Sequence, residues 1–245
     1  MKKHIPNIIT LLNLFCGCIA VIFAVENNLF LAAVFVILGI VFDFFDGFAA
    51  RLLNVKSELG LQLDSLADMV TSGVVPGIVM FKLLEKTSHP FPVNLESVLL
   101  GYEVAPYSFL PLIGLLITLA SCYRLAKFNI DTRQTDSFIG LPTPANTLLI
   151  LSLPLILMSN DVLWINNLIL NKWMLIGITL LSCYLLNAEL PLFSLKMKTY
   201  AFKDNVVTYM FLLTSIVLLA VLSYTAIPLI ILLYILLSVV INAKK

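Results

Sequence analysis

Eight apolar stretches, each near the ~20 residues that cross a hydrocarbon core, run through this chain of 245 residues and leave little between them. They cover roughly residues 8–25, 29–52, 60–84, 106–127, 143–158, 172–188, 206–224 and 226–243. A backbone in lipid must satisfy its own hydrogen bonds, so runs of this length predict helices and not open sheets. The expected fold is all-α, a polytopic integral membrane bundle of about eight transmembrane helices forming one domain over residues 1–245. Composition agrees: 60% of residues are apolar, 12% are charged and the mean hydropathy is +1.03. The fifth run is short and begins with prolines, and the last two are separated only by Tyr224 to Pro228, so they read either as two spans or as one broken unit.

The cations supply an orientation. With the N-terminus inside, cytoplasmic segments hold Lys2, Lys3, Arg51, Lys56, Arg124, Lys127, Arg133, Lys196, Lys198, Lys203, Lys244 and Lys245, and the opposite side holds only Lys82, Lys86 and Lys172. That bias places both termini in the cytoplasm. The net charge is only +1, so the imbalance is between faces rather than overall, and nothing here suggests nucleic-acid binding. The first apolar run lacks a small-residue cleavage site and reads as an uncleaved span. Cys16 and Cys18 point ~200° apart on a helix and cannot share a metal; with Cys122 and Cys183 they read as packing residues.

Against this background, four aspartates inside the second and third runs stand out. An ionised carboxylate at the middle of a bilayer costs ~3 kcal/mol or more, so four facing one another require cations. Asp43 and Asp46 are i and i+3, with Gly47 and Ala50 on the same face; Gly60, Asp64 and Asp68 form an i, i+4, i+8 row. A short turn near residues 53–59 predicts that the two helices are antiparallel neighbours. At ~1.5 Å per residue from that turn, Asp43 and Asp46 lie ~15 and ~10 Å deep, and Asp64 and Asp68 ~6 and ~12 Å deep. The two pairs come level in the cytoplasmic half of the membrane. Gly47, Ala50 and Gly60 leave room for a ligand, and Arg51 is one turn toward the cytosol, within reach of a phosphate.

Oxygen ligands without histidine or thiolate favour Mg²⁺, Mn²⁺ or Ca²⁺ over zinc. Carboxylates across a gap suit two cations that bridge phosphate oxygens. A cation relay in a transporter would also put acids inside spans. The glycines and the arginine beside the acids favour phosphate chemistry.

The full spacing, Asp43-x2-Asp46-Gly47-x2-Ala50-Arg51-x8-Gly60-x3-Asp64-x3-Asp68, resembles the signature of the CDP-alcohol phosphotransferase family at all eight fixed positions. Members displace CMP from a CDP-linked lipid or alcohol by attack of a hydroxyl group. The resemblance implies that Asp43, Asp46 and Asp64 bind divalent metal, that Asp68 completes the metal site and acts as catalytic base, and that Gly47, Ala50, Arg51 and Gly60 line the CDP pocket. It implies a six-span core, here about residues 5–190, with the helices at about 206–243 as an addition, and a homodimer. Further patches, Ile5-Pro6-Asn7-Ile8-Ile9-Thr10 with Asn13 to Gly17, Arg124 to Asn129, and Phe138 to Ala145, resemble the branch of the family that uses CDP-diacylglycerol and L-serine; Phe202 to Asn205 is a weaker echo. The expectation is phosphatidylserine formation with release of CMP. Glycerol 3-phosphate, an inositol compound or choline are alternative acceptors, and a cation-coupled transporter is the alternative outside the class.

Each patch also has a plainer reading. Asn7 and Thr10 either contact the nucleotide or cap the first helix beside Pro6. Arg124 and Lys127 either bind the acceptor or phosphate, as a carboxylate would require, or anchor the span. The turn from Gly140 to Ala145 reads as structural, Gly73-x3-Gly77 as helix packing, and Lys203 and Asp204 as solvated loop charges.

Overall fold

The computed structural model describes residues 4–55, 57–87, 108–131, 138–159, 162–192 and 205–243. Lys203 and Asp204, the echo at 202–204, and most of the long outer loop lie outside these residues. Helices α1 (Ile5–Val25) and α2 (Leu29–Leu52) form a tight hairpin. Asn27 takes a positive φ of 63° at the turn, and the Asn28 side chain accepts from the Leu31 N–H at 3.2 Å to cap α2. Ala20, Ala24, Ala32, Ala33 and Val36 are buried where the two helices meet. Small side chains let helix backbones approach closely, which is how helices gain dispersion energy where lipid offers no hydrophobic drive. Phe23 and Phe35 stack at 5.6 Å at the edge of this seam.

Next come α3 (Glu58–Asp68), a π-helical stretch Met69–Val74, and α4 (Val75–Thr87), continuous along one rod. Ser57 caps α3 by accepting from the Gly60 N–H at 3.0 Å. A 3-10 turn Leu110–Leu115 leads into α5 (Leu116–Ile130); then follow α6 (Thr143–Ser159), the short α7 (Leu163–Ile169), α8 (Lys172–Asn187), α9 (Val206–Leu222) and α10 (Ala226–Ala243). The one pairing of extended residues among those described joins β1 (Phe138–Ile139) to β2 (Pro191–Leu192), antiparallel.

Five helical stretches among the described residues are long and apolar enough to cross a membrane, and six if α7 and α8, bent by 59°, are one span. The expected count of eight is not reached on that basis. α6 falls short at 17 residues, and residues 206–241 count there as one apolar run. That run nevertheless folds back on itself. The rings of Phe211 and Tyr234 lie 5.8 Å apart, whereas 23 residues of straight helix would separate them by ~34 Å. The reversal is at Ser223, whose φ is +50°. Large apolar side chains on the outer surfaces, such as Phe15, Phe44, Leu119 and Val221, are exposed. A helical membrane protein presents such a surface to lipid.

One packing expectation is corrected. α2 and α3 are connected by a short turn, yet they scarcely touch each other; both pack on α1. Both lean on α1, which leaves a gap between them where carboxylates from the two helices meet.

Candidate active site

Asp43, Asp46 and Asp64 each bring one carboxylate oxygen within 4.8 Å of the other two. Two come from α2 and one from α3, so the cluster exists only because α1 holds those helices facing across a gap. Asp46 is buried, and the Thr10 hydroxyl of α1 donates to its Oδ2 at 2.5 Å. The same hydroxyl lies 3.1 Å from the Pro6 carbonyl. The capping alternative for Asn7 and Thr10 therefore fails: α1 begins without a side-chain cap, and Thr10 is committed to an aspartate.

Asp68 is not part of the three-acid cluster. Its partner is Asn13, whose Nδ2 donates to Asp68 Oδ1 at 3.3 Å. Asn13 Oδ1 in turn accepts from the Thr71 hydroxyl at 2.8 Å. Thr71 sits in the π-helical stretch, a geometry that often re-aims side chains at functional sites. Two glycines make this junction possible. A Cβ on Gly17 would lie 2.5 Å from Thr71 Oγ1, and one on Gly39 would lie 2.8 Å from Asn13 Oδ1. Asn13 was marked in the sequence only as the start of a resembling patch, with no role attached, and Thr71 was not legible as a site residue at all.

Beside the acids opens a cavity of about 620 Å³, within the 300–1,000 Å³ usual for ligand sites. Asn7, Thr10, Gly47, Ala50, Arg51 and Gly60 all line it, together with Asp46 and Asp64. Gly47 has nothing within 4 Å of the place a Cβ would take, so its missing side chain is open space in the cavity wall. Arg51 is exposed, and its Nε donates to the Gly47 carbonyl at 3.0 Å, which holds the guanidinium at the rim.

The two cations at the end of α5 part company. Arg124 is buried and lies close enough to Asp68 and Tyr234 to interact electrostatically. Lys127 turns outward and pairs with Glu189 at 3.6 Å. Below them, Asn129 and Ser65 exchange hydrogen bonds at 2.9 and 3.1 Å, tying α5 to α3 between Asp64 and Asp68. The plainer readings elsewhere hold. Gly140 adopts φ +75° and its N–H donates to the Leu190 carbonyl at 2.9 Å, a structural turn. Thr118 donates to the Gly73 carbonyl at 3.0 Å, so Gly73 and Gly77 pack against α5. All four cysteines are free thiols.

Behind Asp68 the interior changes character. Ser72 Oγ, Ser121 Oγ, Arg124 Nε and both amide atoms of Asn146 are buried with no hydrogen-bond partner among the described residues. A buried polar group left unpaired costs about 1–3 kcal/mol, so a group of them is unusual in a native interior.

The model of the CDP-alcohol phosphatidyltransferase family matches residues 3–243. The chain belongs to that family. Members are transferases, and the family is divalent-metal dependent in general. Among similar proteins, the CDP-diacylglycerol–serine O-phosphatidyltransferase of Bacillus subtilis strain 168 is 39% identical over 146 residues, 58% of this chain and 70% of that protein. The protein of the same name from Helicobacter pylori strain J99 is 32% identical over 147 residues, 59% of this chain and 54% of that one. The one from Saccharomyces cerevisiae is 32% identical over 166 residues, 61% and 53% respectively. The chain thus spans about half the length of the latter two relatives.

The three-acid cluster of this family member fits a divalent cation by its donor set: hard oxygens alone, clustered closely enough to share one ion, and held in place by a hydrogen bond from outside.

Proposed function

We propose that this chain transfers the phosphatidyl group of CDP-diacylglycerol to the hydroxyl of L-serine, forming phosphatidylserine and releasing CMP. The observation that carries this reading is the meeting of Asp43 with Asp46 and Asp64, the latter two in the wall of a cavity also lined by Gly47, Ala50, Arg51 and Gly60. The names of the similar proteins support serine as the acceptor.

In this reading Asp43, Asp46 and Asp64 would hold Mg²⁺ or Mn²⁺, as two ions with Asp68 completing the site. The bound metal supplies charge to offset that developing on the phosphate oxygens. Asn7, Thr10, Gly47, Ala50, Arg51 and Gly60 surround the CDP moiety, the small residues giving space and Arg51 meeting a phosphate. Asp68, held by Asn13 and outside the three-acid cluster, would also act as base. It takes the serine hydroxyl proton as the serine oxygen bonds to the phosphorus carrying diacylglycerol. The bond from that phosphorus to the bridging oxygen breaks, and CMP leaves with the electron pair. Arg124 meets the acceptor carboxylate, with Lys127 at the entrance. The diacylglycerol tails stay in the bilayer, and the site and both termini face the cytoplasm, an orientation the cation bias supports. The working form is a homodimer, which sedimentation in detergent would test.

The experiment is CMP release from CDP-diacylglycerol by purified protein, across serine, glycerol 3-phosphate, inositol compounds and choline, with and without divalent metal. Serine-dependent, metal-dependent release is expected. Release that prefers another acceptor would replace serine, and full turnover after exhaustive chelation would remove the metal from the mechanism.

A further inference from the structure

The unpaired polar groups behind Asp68 are neighbours in space, although they come from three elements. Ser72 lies in the π-helical stretch, four residues after Asp68. The adjacent Gly73 packs so closely on α5 that a Cβ there would lie 3.3 Å from Ser121 Cβ. Ser121 and Arg124 share a face of α5 at i and i+3. From the other side, Thr147 of α6 donates to the Ser72 carbonyl at 2.9 Å, which packs the first turn of α6, the turn that carries Asn146, on the same stretch. Ser72, Ser121 and Asn146 are fully buried, and Arg124 is 8% exposed. Tyr234, from the C-terminal hairpin, flanks Arg124.

The donor and acceptor inventory of this group is specific. Arg124 offers only donors, matching a carboxylate. Asn146 Oδ1 and the two serine hydroxyls offer acceptors, matching an ammonium. From this placement we infer that Ser72, Ser121, Arg124 and Asn146 form a chamber that recognises a small zwitterion, binding its carboxylate at Arg124 and its ammonium at Asn146 and the serine hydroxyls, with the free end of the ligand directed toward Asp68. The inference rests on the phosphatidyl-transfer reading for its ligand, L-serine, and makes Asn146 a residue that sets acceptor specificity. Lys127, committed to Glu189, stands outside it.

The test uses the full-length protein in detergent with metal present. Asn146→Leu keeps the branched outline and removes both polar atoms; Ser72→Ala and Ser121→Ala are smaller changes should the bulkier leucine variant fail to fold. For Asn146→Leu, KM for serine should rise at least about tenfold more than KM for CDP-diacylglycerol, because a site built to hydrogen-bond a group discriminates strongly through it. Two inhibitors separate the ends of the ligand: 3-hydroxypropionate lacks the ammonium and ethanolamine lacks the carboxylate. Asn146→Leu should narrow the affinity gap between serine and 3-hydroxypropionate, and Arg124→Gln the gap between serine and ethanolamine. Calorimetry with L-serine reads the chamber without turnover. If the wild type binds serine and the variants do not, yet no CMP is released with serine, the transfer reading fails and the chamber stands. If serine drives CMP release and every variant keeps its serine KM and inhibitor gaps, the chamber is overturned and its groups are met by water.

Discussion

The two polar regions that flank Asp68 are built on opposite plans. On the side of α1 and α2, the acids are held by the protein itself: Thr10 on Asp46, Asn13 on Asp68, Thr71 on Asn13. On the side of α5 and α6, Ser72 Oγ, Ser121 Oγ, Arg124 Nε and the Asn146 amide are buried without a hydrogen bond among the described residues. A site for a cation must be rigid before the ion arrives, since its ligands repel one another. A site for a small polar substrate must keep its donors and acceptors uncommitted. The contrast teaches that burial alone does not classify a polar residue; what it is bonded to does.

The contrast can be broken most easily at the acids. Asp43→Asn or Asp46→Asn should abolish CMP release and weaken CDP-diacylglycerol binding, read as turnover beside nucleotide-lipid affinity at saturating metal. Asp68→Asn should cost ~10²- to 10⁴-fold in kcat, the usual worth of a positioned base, while affecting affinity far less. If it loses affinity as severely as Asp43→Asn, Asp68 is chiefly a metal ligand.

Next in size are the residues that position the acids. Thr10→Val and Asn13→Leu remove a hydrogen bond to Asp46 and Asp68 respectively. Partners of metal ligands are typically worth ~10- to 100-fold in affinity or activity. Thr10→Val should therefore raise the metal concentration for half-maximal activity, and Asn13→Leu should lower kcat with little change in metal requirement. Identical effects on both quantities would erase the distinction between the cluster and Asp68.

The smallest effect separates the two cations of α5. Arg124→Ala should raise KM for serine at least about tenfold, as loss of a charge-assisted partner does. Lys127→Ala should change it by no more than about fivefold, since an exposed ion pair is worth ~0–1 kcal/mol. Equal effects would place both in the acceptor site and weaken the case for a buried chamber.

Much of this molecule was legible before its structure was described. α10 runs over the residues its hydropathy marked, and α2 ends at the residue expected. The residues expected around CDP line one cavity. The short α7 was missed because seven residues carry too little periodicity to register. The π-helical stretch was missed because one widened turn leaves apolar composition unchanged. Asn146 gave no signal at all, as an amide beside the start of an apolar helix reads as an ordinary end residue.

What the sequence by itself determined was the material and the spacing: apolar runs that only helices can satisfy in lipid, and acids at intervals that put each pair on one face of its own helix. Tertiary structure alone decided which faces meet. It set Asp64 with Asp43 and Asp46 and left Asp68 to Asn13, kept α2 and α3 apart on either side of a cavity, and sent Arg124 inward and Lys127 outward. Helical periodicity is a property of one strand of chain, whereas a gap a few ångströms wide between two helices depends on the third that both lean against.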